Sequence, residues 1–174
     1  MRLSTSILPL MERQPSLLSK SKRKRSNMAK VYVMCGLPGS GKTTIARQIA
    51  ADLDAVVISS DSIREELYGD ERVQGNPSVV FDTLYSRAHA VIDDNLSVIL
   101  DGTNVKKHDR ARVFQEFPDN EIAAFVINTP VEVCKQRNGE RERVVPEYVI
   151  DRMAKSFEPP TREEGFVKIY QHIC

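Results

Sequence analysis

Nine consecutive residues, Gly36-Leu37-Pro38-Gly39-Ser40-Gly41-Lys42-Thr43-Thr44, contain the pattern G-x-x-x-x-G-K-[ST]. An apolar run, Val31-Tyr32-Val33-Met34-Cys35, precedes them, and an Ala/Ile-rich helical pattern from Ile45 to Leu53 follows. Strand, glycine loop and helix start are the setting in which this pattern is a phosphate-binding P-loop. Successive backbone N–H groups curl around an anion, and the positive end of the helix points at it. Glycine supplies backbone angles that a Cβ forbids and lets the main chain approach the ligand. The expected ligand is ATP, bound by residues 36–44, with Lys42 reaching the β- and γ-phosphates and the Thr43 hydroxyl ligating Mg²⁺. What is done with the nucleotide is not written in the loop.

Three further groups of residues offer that chemistry. Asp101 closes the apolar run Val98-Ile99-Leu100, as a Walker-B carboxylate does, and there it would orient Mg²⁺ through water; the plainer reading is a turn-capping Asp before Gly102. Asn104, three residues on, is expected to hold neighbouring loops by side-chain hydrogen bonds. Asp61 follows the short run Ala55–Ile58. A carboxylate there can take the proton of an acceptor hydroxyl and aim its oxygen at the γ-phosphate, although Asp is also a favoured helix N-cap. Arg64 falls one turn further along the same helix face, where its fork can grip an acceptor phosphate or simply pair with nearby glutamates. Finally, Arg137-Asn138-Gly139-Glu140-Arg141-Glu142-Arg143 alternates charge. Such runs are usually solvated helix faces, but Gly139 and the lack of apolar residues suggest a mobile flap. Its arginines would close over the transferring phosphoryl group.

The elements that must position these residues alternate strand and helix, which argues for an α/β domain with a parallel sheet. Strands are expected at 31–35, 55–58, 98–101, 122–127 and 166–170. Helices are expected at 42–53, 62–67, 78–95, 107–117, from Pro130 into the arginine stretch, and from Pro146 to about Phe157. Ser62 and Glu65 stand at capping-box spacing for the second helix, and Pro146 suits a first-turn position.

At 174 residues the chain is read as one domain, and 41% hydrophobic with 28% charged residues is ordinary for a globular protein. No apolar run approaches the roughly 20 residues that cross a bilayer, so no membrane partner is expected. Three scattered cysteines, Cys35, Cys134 and Cys174, form neither a disulfide framework nor a metal motif and fit a cytoplasmic setting. Residues 1–27 carry seven basic residues and one acid, +6, which leaves −5 on residues 28–174 of a chain whose net charge is +1. That leader is expected to be disordered. It is read as upstream of a true start at Met28, with a transit peptide, a nuclear address or a nucleic-acid arm as the alternatives.

Taken together, the chain resembles the P-loop polynucleotide 5′-kinases: the kinase module of bacterial polynucleotide kinase-phosphatases and phage polynucleotide kinase. The resemblance runs in order through GLPGSGKTT (36–44), SSDSIREEL (59–67), FDTL (81–84) and VILDGTNV (98–105). It continues through CKQRNGERER (134–143), VPEYVI (145–150) and EEGFVKIY (163–170). It implies a P-loop NTPase fold of the adenylate-kinase type, a three-layer sandwich with a four- to five-stranded, mostly parallel sheet and an Arg-rich lid, over residues 28–174. It also implies that Asp61 is the general base for a 5′-OH of DNA or RNA and that Arg64 contacts the adjacent acceptor phosphate. Arg137 and Arg141 would contact ATP, with Arg143 less well matched. The 174 residues are expected to hold a kinase module without the phosphatase domain of those enzymes. Related stand-alone P-loop kinases act on nucleosides, sugars or antibiotics, and regulatory or toxin-like modules use the same scaffold, so both stand as alternatives.

Overall fold

Val31–Cys35 is apolar at every position, so the strand it forms needs cover on both faces. In the computed structural model, which describes residues 28–70, 73, 75–141 and 144–173, this run is strand β1 and all five of its residues are buried. The leader 1–27 lies outside the described residues. Around β1 stand β2 Ala55–Ser59, β3 Ser97–Asp101, β4 Ile122–Asn128 and β5 Lys168–Ile173. All pairings are parallel, in the order β2-β3-β1-β4-β5. The connecting helices are α1 Lys42–Leu53, α2 Ser60–Tyr68, α3 Pro77–Asp93, α4 Lys107–Glu116, α5 Val131–Gly139 and α6 Glu147–Lys155, with a 3-10 turn at Arg162–Glu164. This is the α/β P-loop NTPase fold, and its sheet is parallel throughout.

Alternation along the strands sends side chains to two cores. Tyr32, Met34, Ile99 and Ile127 pack with Ala46 and the apolar face of α1 on one side. Val31, Val33, Cys35, Val98, Leu100 and Val126 meet Ile63, Val80, Leu84, Val113 and Phe117 on the other. A third cluster, Leu37, Val105, Cys134 and Ile150, seats α5 and α6 against the glycine loop. The connection after β1 passes beyond β3 to reach β2, whereas the one after β3 passes beyond β1 to reach β4. The chain therefore diverges at the carboxyl ends of β1 and β3, the crevice where open α/β sheets hold ligands.

Three local expectations change. The helix assigned to 62–67 starts at Ser60, and its cap residue is Ser59. The reason is that β2 pairs through Ser59 opposite Asp101 and enters the helix without a turn. Ser62 is then inside the helix and forms no capping box. The last strand begins at Lys168, not Phe166, because Phe166 is buried edge-on to Phe114 at 4.9 Å. The flap expected from 137 onward is helical to Gly139. Among the described residues no helix is long and apolar enough to cross a membrane.

Candidate active site at the carboxyl ends of β1, β2 and β3

The glycine loop leaves β1 with Gly36, Gly39 and Gly41 at φ +156°, +79° and +95°. Gly39 and Gly41 occupy the left-handed region that a side chain strains. A Cβ on Gly39 would also collide with the carbonyl oxygen of Cys134 in α5. The loop is thus pinned beneath α5, and Thr129 Oγ1 ties it again by donating to the Ser40 carbonyl at 2.9 Å. Lys42 is buried, with its Nζ donating to the Leu37 carbonyl at 2.7 Å. Burial pulls its pKa down to about 8, against the opposing pull of Asp101; the charge of Arg141 pushes the same way as burial. Thr43 Oγ1 donates to Asp101 Oδ2 at 2.7 Å. Burial raises the Asp101 pKa, while the Thr43 hydrogen bond and the Lys42 charge act against it.

These features fit a triphosphate with a divalent ion. The cradle is one that side chains on its glycines would close, Ser40 Oγ is buried without a partner among the described residues, and a cationic Nζ reaches only a carbonyl. Among the described residues no cluster of three His, Cys, Asp or Glu side chains forms an all-protein metal cage. The hydroxyl–carboxylate pair Thr43–Asp101 would suit an ion that takes its remaining ligands from water and phosphate.

Asp61 stands in the first turn of α2, one residue inside the helix and not at its cap. Because β3 lies between β1 and β2, this carboxylate is two strands from the glycine loop. Asp101 lies between them. The charge of Asp61 still acts on both Lys42 and Asp101. Its side chain is 48% exposed and accepts from Arg64 Nη1 at 2.8 Å. Arg64 is mostly buried, and its Nε has no partner among the described residues.

The arginine stretch reaches the same crevice from the other side. Arg137 stands in the last turn of α5 with Nη1 3.8 Å from where a Gly41 Cβ would be. Asn138 is buried and exchanges two hydrogen bonds with the Val145 backbone, donating to its carbonyl at 2.7 Å and accepting from its N–H at 3.0 Å. That clamp closes the turn carrying Arg141 and explains why the segment is anchored at its base. Arg143 lies outside the described residues.

Two residues with a supporting role escaped the sequence reading. Arg110 is fully buried, and it donates from Nε and Nη2 to Glu164 at 2.9 and 2.8 Å and from Nη1 to the Asn104 carbonyl at 2.9 Å. Asn104, held at φ +45°, in turn donates from Nδ2 to the Met34 carbonyl at 2.7 Å. Gly36 N–H reaches the Thr103 carbonyl at 3.0 Å. A buried ion pair therefore braces the loop after β3, and that loop braces the start of the glycine loop. A lone charge in the sequence signals nothing of this, since the partners are 54 residues apart. Glu164→Ala is expected to cost about 3–5 kcal/mol, because Arg110 is left buried and unpaired. Arg110→Met with Glu164→Leu should recover most of the loss. Urea titration of the three proteins checks both statements, and a single-mutant loss under about 1 kcal/mol refutes the bracing role.

Comparison with known proteins agrees with this fold. The L-seryl-tRNA(Sec) kinase of Methanococcus maripaludis is 24% identical over 141 residues, 75% of this chain and 53% of that one. The cytidylate kinase of Pyrobaculum neutrophilum is 30% identical over 133 residues, 76% of this chain and 66% of that one. A chain of the Pnkp1/Rnl/Hen1 RNA repair complex superposes with a TM-score of 0.68 at 19% identity, covering 78% of this chain and 46% of its own. The chain spans between 16% and 66% of the lengths of these and other curated relatives. The sequence profile of the AAA domain family AAA_33 matches residues 31–160, and the chain belongs to that family.

Proposed function

We propose that the protein is an ATP-dependent kinase of an alcohol, and that its acceptor is the 5′-OH end of DNA or RNA. The observation that carries this reading is the exposed carboxylate of Asp61 at the end of β2, two strands from the glycine loop and within the electrostatic reach of Lys42 and Asp101. In the step, the acceptor O–H gives its proton to Asp61, and the acceptor oxygen bonds to the γ-phosphorus. The bond from that phosphorus to the β,γ-bridging oxygen breaks, and ADP leaves. Lys42 stabilises the β- and γ-oxygens, Arg64 grips a phosphate next to the acceptor hydroxyl, and Arg137 and Arg141 act as the lid over the transferring group. Thr43 directly and Asp101 through water would hold Mg²⁺, which neutralises phosphate charge when bound.

The relatives named as kinases support phosphotransfer, and the order of motifs from the P-loop to the R-N-x-x-R stretch supports the polynucleotide acceptor. With that acceptor we read the role as nucleic-acid repair. Against it stands the −5 charge of residues 28–174, which favours a small-molecule acceptor as the second reading. The test is transfer from ATP labelled at the γ-phosphate, with 5′-OH DNA, 5′-OH RNA, nucleosides and sugars offered in parallel. Labelled oligonucleotides are the expected result. Label on nucleosides or sugars alone selects the second reading, and label on none of them rejects both.

A further inference from the structure

The carboxylate assigned as base is open to water before any acceptor arrives. Asp61 stands at the carboxyl end of β2, in the first turn of α2, with its side chain 48% exposed. A base so placed can activate water as well as an alcohol, and ATP would then be hydrolysed to no use. A kinase has to suppress that step.

A cation already sits on this carboxylate. Arg64 Nη1 donates to Asp61 Oδ1 at 2.8 Å across one turn of α2. That bond fixes the rotation of the carboxyl group and engages one of its oxygens. The arginine, however, is poorly satisfied in this arrangement. Its side chain is 11% exposed, and its Nε is buried with no partner among the described residues. A buried N–H left unmade costs free energy that another arrangement recovers. A phosphate offers one, because two of its oxygens can accept from two nitrogens of the fork at once.

We propose that the Asp61–Arg64 ion pair is a catch, and that the acceptor's own phosphate releases it. Without acceptor, Arg64 holds Asp61 out of use. When a phosphate takes the guanidinium, the carboxylate turns to the hydroxyl that arrived with that phosphate. The reaction suppressed is idle hydrolysis: a water O–H gives its proton to Asp61, and the water oxygen bonds to the γ-phosphorus. The bond to the β,γ-bridging oxygen breaks, leaving ADP and phosphate. The inference rests on the kinase reading above and adds to it the regulation of the base. A hydroxyl with no phosphate beside it leaves the catch shut.

ADP formation in the absence of any acceptor hydroxyl tests it. The wild-type protein is given a 5′-deoxynucleoside 3′-phosphate, which has the phosphate and lacks the hydroxyl. ATP hydrolysis is expected to rise at least about fivefold, a small part of the roughly 10²–10⁴ that a positioned base supplies. Arg64→Ala, shown to be folded by its Tm, should hydrolyse ATP at least about fivefold faster than wild type without the analogue. The analogue should no longer change its rate, and Asp61→Asn added to Arg64→Ala should bring hydrolysis back to the wild-type level or below. A wild-type rate that the analogue leaves unchanged overturns the catch, as does a folded Arg64→Ala protein no faster than wild type. If 5′-OH oligonucleotides are still labelled in either case, the kinase reading stands without the catch. Failure of that reading looks different: the wild-type protein then labels no alcohol, whether or not it carries a phosphate.

Discussion

Asp61→Asn is expected to lower the turnover of phosphotransfer about 10³-fold while leaving ATP affinity within about twofold. A positioned general base contributes on the order of 10²–10⁴ to rate, and Asn keeps the shape of the side chain while giving up its basicity. Its Oδ1 can still accept from Arg64 Nη1, so the pair that bridges one turn of α2 is retained. The folding cost includes the lost negative charge in the first helical turn, about 0.3–1 kcal/mol, and the loss of the countercharge to Arg64. Steady-state turnover, ATP titration and urea unfolding on the same preparation separate these effects. Turnover within about tenfold of wild type would remove the general-base role. It would favour a regulatory module, in which ATP binding, and not phosphotransfer, is the function.

Lys42→Met should have the second large effect, abolishing measurable ATP binding and turnover while making the nucleotide-free protein more stable. The sign follows from burial, which lowers the Lys42 pKa from the usual 10.5 to about 8. Below pH 8 the ammonium is charged in both folded and unfolded chains, and the folded chain bears the full desolvation penalty. Between pH 8 and 10.5 the unfolded chain still binds the proton that the folded one has released, so this residue's contribution to stability rises with pH. Nucleotide binding has the opposite trend. ATP prefers the charged amine, and its affinity should fall by up to about tenfold per pH unit above pH 8. Unfolding midpoints and ATP titrations at pH 7, 8 and 9, with and without the substitution, give the readout. Wild-type affinity that is flat across that range would mean that Lys42 does not meet the phosphates as a cation.

What the sequence by itself determined was local. The glycine loop is contiguous, so its strand, turn and helix start could be read in place, and β1 and α1 lie where they were expected. Strands with apolar residues at nearly every position announced a sheet covered on both faces. Asp61 and Arg64 were also visible together, because three residues of helix bring them onto one face. Only the tertiary structure decided which strands are neighbours. Hydrophobic patterning makes a strand without naming its partner, so the insertion of β3 between β1 and β2, and with it the place of Asp101 between Lys42 and Asp61, could not be read from chain order. The same holds for the Arg110–Glu164 brace and the Asn138 clamp on Val145. Each depends on contacts that close only after the sheet is assembled, because a buried polar group acquires its role from the partner that packing brings to it.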